Sequence, residues 1–448
     1  MSKKKVLHGS QTGLSFTINS DVLQKVLPLV ATATSKQGNQ KYIKIESEGN
    51  GVAFSANKSP FDLKRSNSKG NDVVDGIAVR YSVTESDGVE IKSHGAIAVS
   101  AEEILAARRM CTDTGKILIS AYSASKEELE KFSKVVETEE ETEGNESDTG
   151  LVGKAIVFFP RKEGQEATCD SDKFCTLPVA NPDILDRPNM SLDTTPITVK
   201  ASDLQDVILR VAAISEENTS FKAHRAIELR IGNNAIQASG NQSNIMIFAC
   251  KTDVNVSCEP VKFYIMGKPL QAMFSKISPD SNIDIKTDNG RIVFSTGGLT
   301  FILYSIIDKS IEERYVTLQK IIETPGDGNE VTVFQKKFME CIEKANMAGY
   351  LGITSLSFNI KENLINIKGS DSSKVMNAQS SFEGTGITED MAELVVNYNL
   401  NDLKRVVASL PVVETRTLFR GADKATLFRA NEDNISVVAL IQPRTIAV

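Results

Sequence analysis

Cations recur at one kind of position along this chain, and their type sets the chemistry they could do. Six segments with helical apolar spacing carry them: Lys25; Arg108 and Arg109; Arg210; Lys268 and Lys276; Lys336, Lys337 and Lys344; Lys404 with Arg405. Lysine and arginine neutralise phosphate oxygens without reading base sequence, so a surface shared by all six would hold a polyanion by its backbone. The same residues also occur on any solvated helix face. Aromatic residues do not interleave with them and the chain has no tryptophan, so stacking on single-stranded bases is not indicated. Any nucleic-acid contact should be with duplex phosphates.

Catalytic spacings are missing. There is no GxxxxGK[ST] phosphate loop, no HExxH and no GxSxG elbow, and Gly297-Gly298 and Gly349-x-x-Gly352 read as turns. His224 lies beside Lys222 and Arg225, where a small anion site is conceivable, but a basic helix-to-strand loop is the simpler account. Six cysteines occur without a C-x-x-C pair, and the three histidines have no metal-ligand spacing. These thiols are expected to be reduced and mostly in the core. No catalytic residue, metal or cofactor follows, and an enzyme is disfavoured.

The elements that would position the cations repeat. From Thr195 to Asn241 a short strand leads into a helix with Leu204, Val207, Ile208 and Val211 at i, i+3, i+4 and i+7, opened by Ser202 or Asp203 as cap. Ile227, Leu229 and Ile231 then alternate with polar residues, and Gly232-Asn233-Asn234 supplies a turn. The same order appears around Leu23, Val26, Leu27 and Val30, with Pro28 kinking the helix, and around Phe338, Cys341, Ile342 and Ala345. Further helices are expected at Ser100 to Met110, where Ser100 and Glu103 form a capping box over Ile104, Leu105 and Met110, and around Leu270, Met273, Phe274 and Ile277. Another, capped by Asn401, carries Leu403, Val406, Val407 and Leu410.

A chain of 448 residues exceeds what one core usually supports, and three copies favour three domains, at 1–194, 195–324 and 325–448. Each would hold two amphipathic helices on about eight antiparallel strands, an α+β plan. An acidic stretch at about 124–150 reads as a solvated insertion in the first domain, the alternative being a binding tail. The net charge of −7 means that any contact with nucleic acid must come from a locally basic surface. No long apolar run suggests a membrane span, and the basic start, Met1 to Lys5, leads into no signal-peptide core, so a cytoplasmic protein is expected.

This triplicated pattern resembles the bacterial DNA polymerase III beta subunit, the sliding-clamp family, in a divergent form such as a phage or plasmid would encode. Its most specific pieces are Phe174-Cys-Thr-Leu-Pro-Val-Ala-Asn-Pro182, Ala235-Ile-Gln-Ala-Ser-Gly-Asn241 and Ala439-Leu-Ile-Gln-Pro-Arg444, similar to the first-domain exit, a second-domain strand and turn, and the apolar-Pro-x-Arg ending of the family. The resemblance implies a processivity factor: a head-to-tail homodimer closing a ring round duplex DNA, helices lining the hole, with a replicative polymerase and a clamp loader as partners. It also implies a pocket for partner peptides at Arg225, Gly240, Asn241, Ser243, Ile245, Tyr315, Val316, Tyr350, Asn399, Leu440, Ile441, Gln442, Pro443 and Arg444, which could instead be plain interdomain packing. Two departures bear on it. Asn241-Gln-Ser-Asn-Ile245 stands where the family commonly has Asp-Gly-His-Arg-Leu, and the tail runs on through Ile446-Ala-Val448. The alternative is a clamp-fold interaction or decoy protein that binds polymerase peptides without encircling DNA.

Overall fold

A computed structural model describes residues 10–35, 38–58, 76–110, 115–137, 151–162, 164–185, 190–216, 221–288, 290–306, 309–324, 326–346, 353–359, 362–370 and 377–444. In chain order these form β1 (Gln11–Asn19), α1 (Ser20–Val30), β2 (Tyr42–Glu48), β3 (Gly51–Asn57), β4 (Ile77–Val83), β5 (Glu90–Ser93), β6 (Ala96–Ser100), α2 (Ala101–Arg108), β7 (Lys116–Tyr122), α3 (Lys126–Glu137), β8 (Leu151–Phe158) and β9 (Phe174–Ala180). Next come β10 (Ile197–Lys200), α4 (Ala201–Ala212), α5 (Lys222–Arg225), β11 (Ala226–Gly232), β12 (Ala235–Gln242), β13 (Ile245–Lys251), β14 (Val261–Met266), α6 (Gly267–Phe274), β15 (Asn282–Thr287), β16 (Arg291–Thr296) and β17 (Leu299–Tyr304). The chain closes with α7 (Lys309–Glu323), β18 (Asn329–Phe334), α8 (Gln335–Asn346), β19 (Ile353–Asn359), β20 (Leu364–Ser370), β21 (Asn377–Glu383), β22 (Val395–Asn399), α9 (Leu400–Ser409), β23 (Glu414–Phe419), β24 (Thr426–Glu432) and β25 (Ile435–Ile441).

One rule generates most of this order: a strand, a helix, then three strands. It runs β1-α1-β2-β3-β4, β6-α2-β7-β8-β9, β10-α4-β11-β12-β13, β14-α6-β15-β16-β17, β18-α8-β19-β20-β21 and β22-α9-β23-β24-β25. The expected triplicate is therefore itself built of pairs. Among the described residues β5, α3, α5 and α7 stand outside the rule.

The first compact unit comprises Met1–Thr195 and Lys286–Tyr304. Its strands lie in the order β16-β17-β4-β3-β2-β6-β9-β8-β7-β1-β5. Leu23, Val26, Leu27 and Val30 bury one face of α1, which packs on β3 and β4 and against α2, and Pro28 is kept within the helix. Chain remote in sequence completes this sheet: β17 pairs antiparallel with β4, Leu299 opposite Tyr81 and Leu303 opposite Ile77. The approach is close enough that a Cβ on Gly298 would meet the Ser82 carbonyl oxygen at 2.0 Å, so only glycine fits.

The second unit comprises Pro196–Ile285 and Ser305–Val448. An eight-stranded antiparallel sheet, β14-β11-β12-β13-β25-β24-β23-β18, forms its spine. At its centre β13 and β25 run in unbroken register from Ile245↔Ile441 to Lys251↔Ile435. Gly232, Asn233 and Asn234 turn β11 into β12 with positive φ, the backbone that such short hairpins require. Helix α4 packs on β12 and β13 and against α6, while α8 covers β20 and β21 and contacts α9. A second sheet, β21-β20-β19-β22, is tied to the first by the buried Tyr398 hydroxyl, 2.6 Å from Thr426 Oγ1.

Several local expectations are corrected. Ser100 makes no capping hydrogen bond, and α2 buries Ala101, Ile104 and Ala107, with Leu105 half-buried and Met110 exposed. The capping box is at Ser125, which accepts from the Glu128 amide at 3.2 Å and donates its own amide to Glu128 Oε2 at 2.9 Å. It opens α3, so half of the expected acidic insertion is helical; 138–150 lie outside the described residues, as does Arg187-Pro188. Neither Ser202 nor Asp203 caps α4; Asp203 instead pairs with Lys251 at 2.8 Å. Asn399, not Asn401, caps α9. Of the described cysteines only Cys341 is buried, Cys169 is exposed, and Cys111 falls outside the described residues. The segment after β17 holds α7, a 15-residue helix that the expectation of two helices per domain leaves out. No described helix is long and apolar enough to cross a membrane.

Two measurements check these ties. Tyr398→Phe should cost about 1–2 kcal/mol in denaturant unfolding, because it strands the Thr426 hydroxyl in the core. Glu128 bonds to Lys154 at 2.6 Å, which, with the Ser125 amide, holds its carboxyl below the usual value. A depressed folded-state pKa gives stability that is present above the unfolded value and lost as pH falls through the folded one. Amide exchange along Lys126–Glu137 should therefore rise, relative to α4, as the pH drops below about 4.5, and Glu128→Gln should abolish the difference.

Candidate functional site

The helices place their cations opposite the apolar stripes that dock on the sheets. Lys25, Arg109, Lys276, Lys336, Lys337, Lys344 and Arg405 are exposed, while Arg108, Arg210, Lys268 and Lys404 are half-buried. Some of them are engaged locally. Arg210 Nη1 donates to the Ser409 carbonyl at 3.0 Å, tying α4 to the end of α9. Lys268 Nζ donates to the Ala213 carbonyl and to Gln271 Oε1, both at 3.1 Å. Arg405 Nη1 reaches Gln242 Oε1 at 2.8 Å, and Gln242 in turn donates to Glu216. Lys337 and Lys404 lie 3.6 Å from Glu340 and Glu343, loose pairs on solvated faces that do not quench the local positive charge.

On the other face of the eight-stranded sheet lies α7. Gly240 shows the sides apart: a Cβ there would meet Val211 of α4, whereas α7 packs on Met246, Tyr264, Met266, Leu427 and Leu440. Tyr315 anchors the helix. It is 2 % exposed, its hydroxyl donates to the Ala226 carbonyl at 2.9 Å, and its ring centroid is 5.6 Å from that of Tyr264. Burial, with the charge of Glu228 behind it, pushes both phenols above the ordinary tyrosine value, so they remain neutral donors. Lys262 Nζ meets Glu312 at 2.7 Å and Arg429 Nη2 donates to the Ile322 carbonyl at 3.0 Å, fixing each end of the helix.

Between α7 and the ends of β13 and β25 is a cavity of about 460 Å³. Five residues expected for a peptide pocket line it: Asn241, Ser243, Ile245, Leu440 and Gln442. Sequence reasoning missed Met246, Arg314, Ile321 and Thr324, and also Arg420, Asp423, Lys424 and Ala425 from the β23–β24 connection. The α7 contribution was open to detection, since Ile311, Tyr315 and Ile322 keep helical spacing. That of the β23–β24 connection was not, because only sheet pairing brings it there.

Other expected pocket residues are used differently or lie to the side. Gly240 faces α4, Ile441 is buried in strand register opposite Ile245, and Tyr315 is buried under α7. Asn399 Oδ1 accepts from the Asn401 and Asp402 amides, which makes it the α9 cap. Val316 is exposed on α7, Pro443 is buried, and the Arg444 amide donates to the Asn397 carbonyl at 2.7 Å. Arg225 ends α5 beside the buried His224. Burial and the nearby Arg314 hold that imidazole below its usual pKa, opposed by Glu216 at 3.9 Å. Tyr350 lies outside the described residues.

Tyr315→Ala should cost about 3–5 kcal/mol, as expected for emptying a buried ring site, and should raise amide exchange throughout Lys309–Glu323. Tyr315→Phe, which keeps the ring, should cost about 1 kcal/mol. Equal exchange in both variants would show that α7 is held by something other than this anchor.

No protein-family model matches the sequence, and no curated protein matches it either. Solved structures do match, over nearly the full length. A DNA polymerase III subunit beta from Pseudomonas aeruginosa is 15 % identical, with a TM-score of 0.64 over 96 % of this chain and 100 % of that one. A DNA polymerase sliding clamp from Bacillus subtilis is 17 % identical, with a TM-score of 0.68 over 97 % and 100 %. The DNA polymerase III beta subunit from Thermotoga maritima is 12 % identical, with a TM-score of 0.69 over the same shares. From its first described strand to its last, this chain has the fold of the DNA polymerase III beta sliding clamps, carried by a sequence only 12–17 % identical to theirs.

Proposed function

We propose that this protein is a DNA polymerase processivity factor: a sliding clamp that encircles duplex DNA and tethers a replicative polymerase to it. The observation that carries the reading is the sliding-clamp fold over 96–97 % of the chain. The domains are 1–194, 195–324 and 325–448, and two copies close head to tail into a ring in the cytoplasm. Strand topology supports that closure. At both internal joints the third hairpin strand of one domain pairs with the last strand of the next, β4 with β17 and β13 with β25. The equivalent strands left over are β21, at the edge of its sheet, and β9, which meets β6 only at Val179 and Ala180. Pairing β21 of one copy with β9 of another repeats the same joint, and two such joints complete the rotation.

The mechanism needs no chemistry by the chain. Helix-borne cations on the inner face make weak, exchangeable contacts with phosphates, independent of base sequence, so the ring slides. The overall charge of −7 discourages DNA from binding outside. A polymerase segment docks in the α7-bordered cavity, and tethering converts each rebinding into an intramolecular event. A separate ATP-driven clamp loader opens the ring.

Light scattering should give twice the 48.8 kDa chain mass. Clamps assembled by a loader on nicked circular DNA should escape after linearisation and stay when the ends are blocked. Reversing the charge of Arg108, Arg109, Lys336 and Lys337 should lower that retention and its support of polymerase. A strict monomer at micromolar concentration, or escape past blocked ends, would sink the ring; peptide binding without retention would identify a decoy.

A further inference from the structure

Helix α7 is anchored to one short turn of helix, and that turn carries a histidine on its buried side. The Tyr315 hydroxyl donates to the Ala226 carbonyl at 2.9 Å, and Ala226 is the residue on which α5 ends, its own amide donating to the Lys222 carbonyl. Ala223 of the same turn packs into the apolar bed that holds Ile311 and Tyr315. The neighbouring His224 is 7 % exposed, with the Phe221 ring beside it at a centroid distance of 5.4 Å and its carbonyl accepting from the Glu216 amide at 2.9 Å. A turn of four residues has little stability of its own and keeps its shape only while its side chains stay packed.

A proton on His224 would put a cation into that packing. Burial and the charge of Arg314 on α7 oppose it, while Glu216, with Oε2 3.9 Å from Nδ1, favours it. Glu216 is not free to close the gap, because its other carboxylate oxygen accepts from Gln242, which Arg405 of α9 holds at 2.8 Å. Elsewhere around α5, Glu228 of β11 pairs with Arg230 and Glu312 of α7 with Lys262, each at 2.7 Å, Glu313 of α7 is exposed, and β12 carries no charged residue. The turn itself adds Lys222 and Arg225, two more positive neighbours. We infer that α5 is a proton-operated latch for α7: a neutral His224 keeps the turn seated, and a protonated one leaves the packing, draws the Ala226 carbonyl away from Tyr315 and loosens the helix. Because the seated turn prefers the neutral ring, its contribution to stability is complete above the free imidazole value of about 6.5 and is lost as pH falls through the lower value of the seated ring.

The test is amide exchange along Lys309–Glu323 in the full-length protein at about pH 7.5 and about pH 5.5, either side of the ordinary imidazole value, corrected for intrinsic rates and compared with α8. Acidification should raise exchange in α7 about five-fold or more relative to α8, and His224→Gln, which cannot take up the proton, should remove the rise. The chain has three histidines, so the His224 titration can be followed directly by proton NMR. Arg314→Gln should move its midpoint and the exchange step up in pH, and Glu216→Gln should move both down, opposite shifts that general destabilisation does not produce. Tyr315→Phe should leave His224 titrating while α7 no longer responds to it. A rise that survives His224→Gln, midpoints that fail to move apart in the Arg314 and Glu216 variants, or an undiminished step in Tyr315→Phe would each overturn the latch.

Discussion

Backbone pairing across module boundaries is the constraint on which this structure depends. A strand edge carries rows of N–H and C=O groups that must be matched by another strand or by water. Here the β13–β25 ladder joins strands some 190 residues apart in sequence without a break in register from Ile245↔Ile441 to Lys251↔Ile435. Because side chains alternate along a strand, that single register decides which residues face α4 and which face α7. A slip of one residue would send Met246 and Leu440 to the wrong side, removing the α7 bed and the apolar wall of the cavity together. The helices contribute burial and charge, but it is the ladder that assigns each of them a side.

The repeated strand–helix–three-strand rule explains how a chain that is acidic overall can still present cations on its helices. Each helix docks by an apolar stripe, so whatever charge it bears is forced to the side away from the sheet. Repetition of the module repeats the placement, and no long-range recognition between the helices is needed. What varies is how far each cation is committed elsewhere. Arg210 is engaged with the Ser409 carbonyl, whereas Lys336 and Lys344 extend from an exposed face of α8.

What could be read in the sequence was whatever depends on neighbours. Leu204, Val207, Ile208 and Val211 mark α4 by spacing alone, and Gly232-Asn233-Asn234 marks the hairpin because few residues tolerate its backbone. Capping was less legible. Ser100 and Glu103 have the right identities, but β6 runs straight into α2, whereas Ser125 follows open chain and can turn its hydroxyl to the helix. The pocket was legible only along β12, β13 and β25. Arg420 and Lys424 reach it because β24 pairs with β25, and Arg314 because a tyrosine finds the Ala226 carbonyl 89 residues away, facts that no local pattern encodes.

The β17–β4 pairing has a consequence for synthesis on the ribosome. Val83 and Leu299 are separated by 216 residues, so at about 5–20 residues per second the open flank of β4 waits roughly 10–40 s for its mate. A nascent chain with a bare apolar edge for that long invites pairing with its neighbours on the same message. Arg80 sits in the middle of β4, and its guanidinium is clasped by Glu46 at 3.1 Å and Glu48 at 2.6 Å from β2. These charges do not stop the correct strand from adding, but they make the waiting edge a poor template for a foreign one.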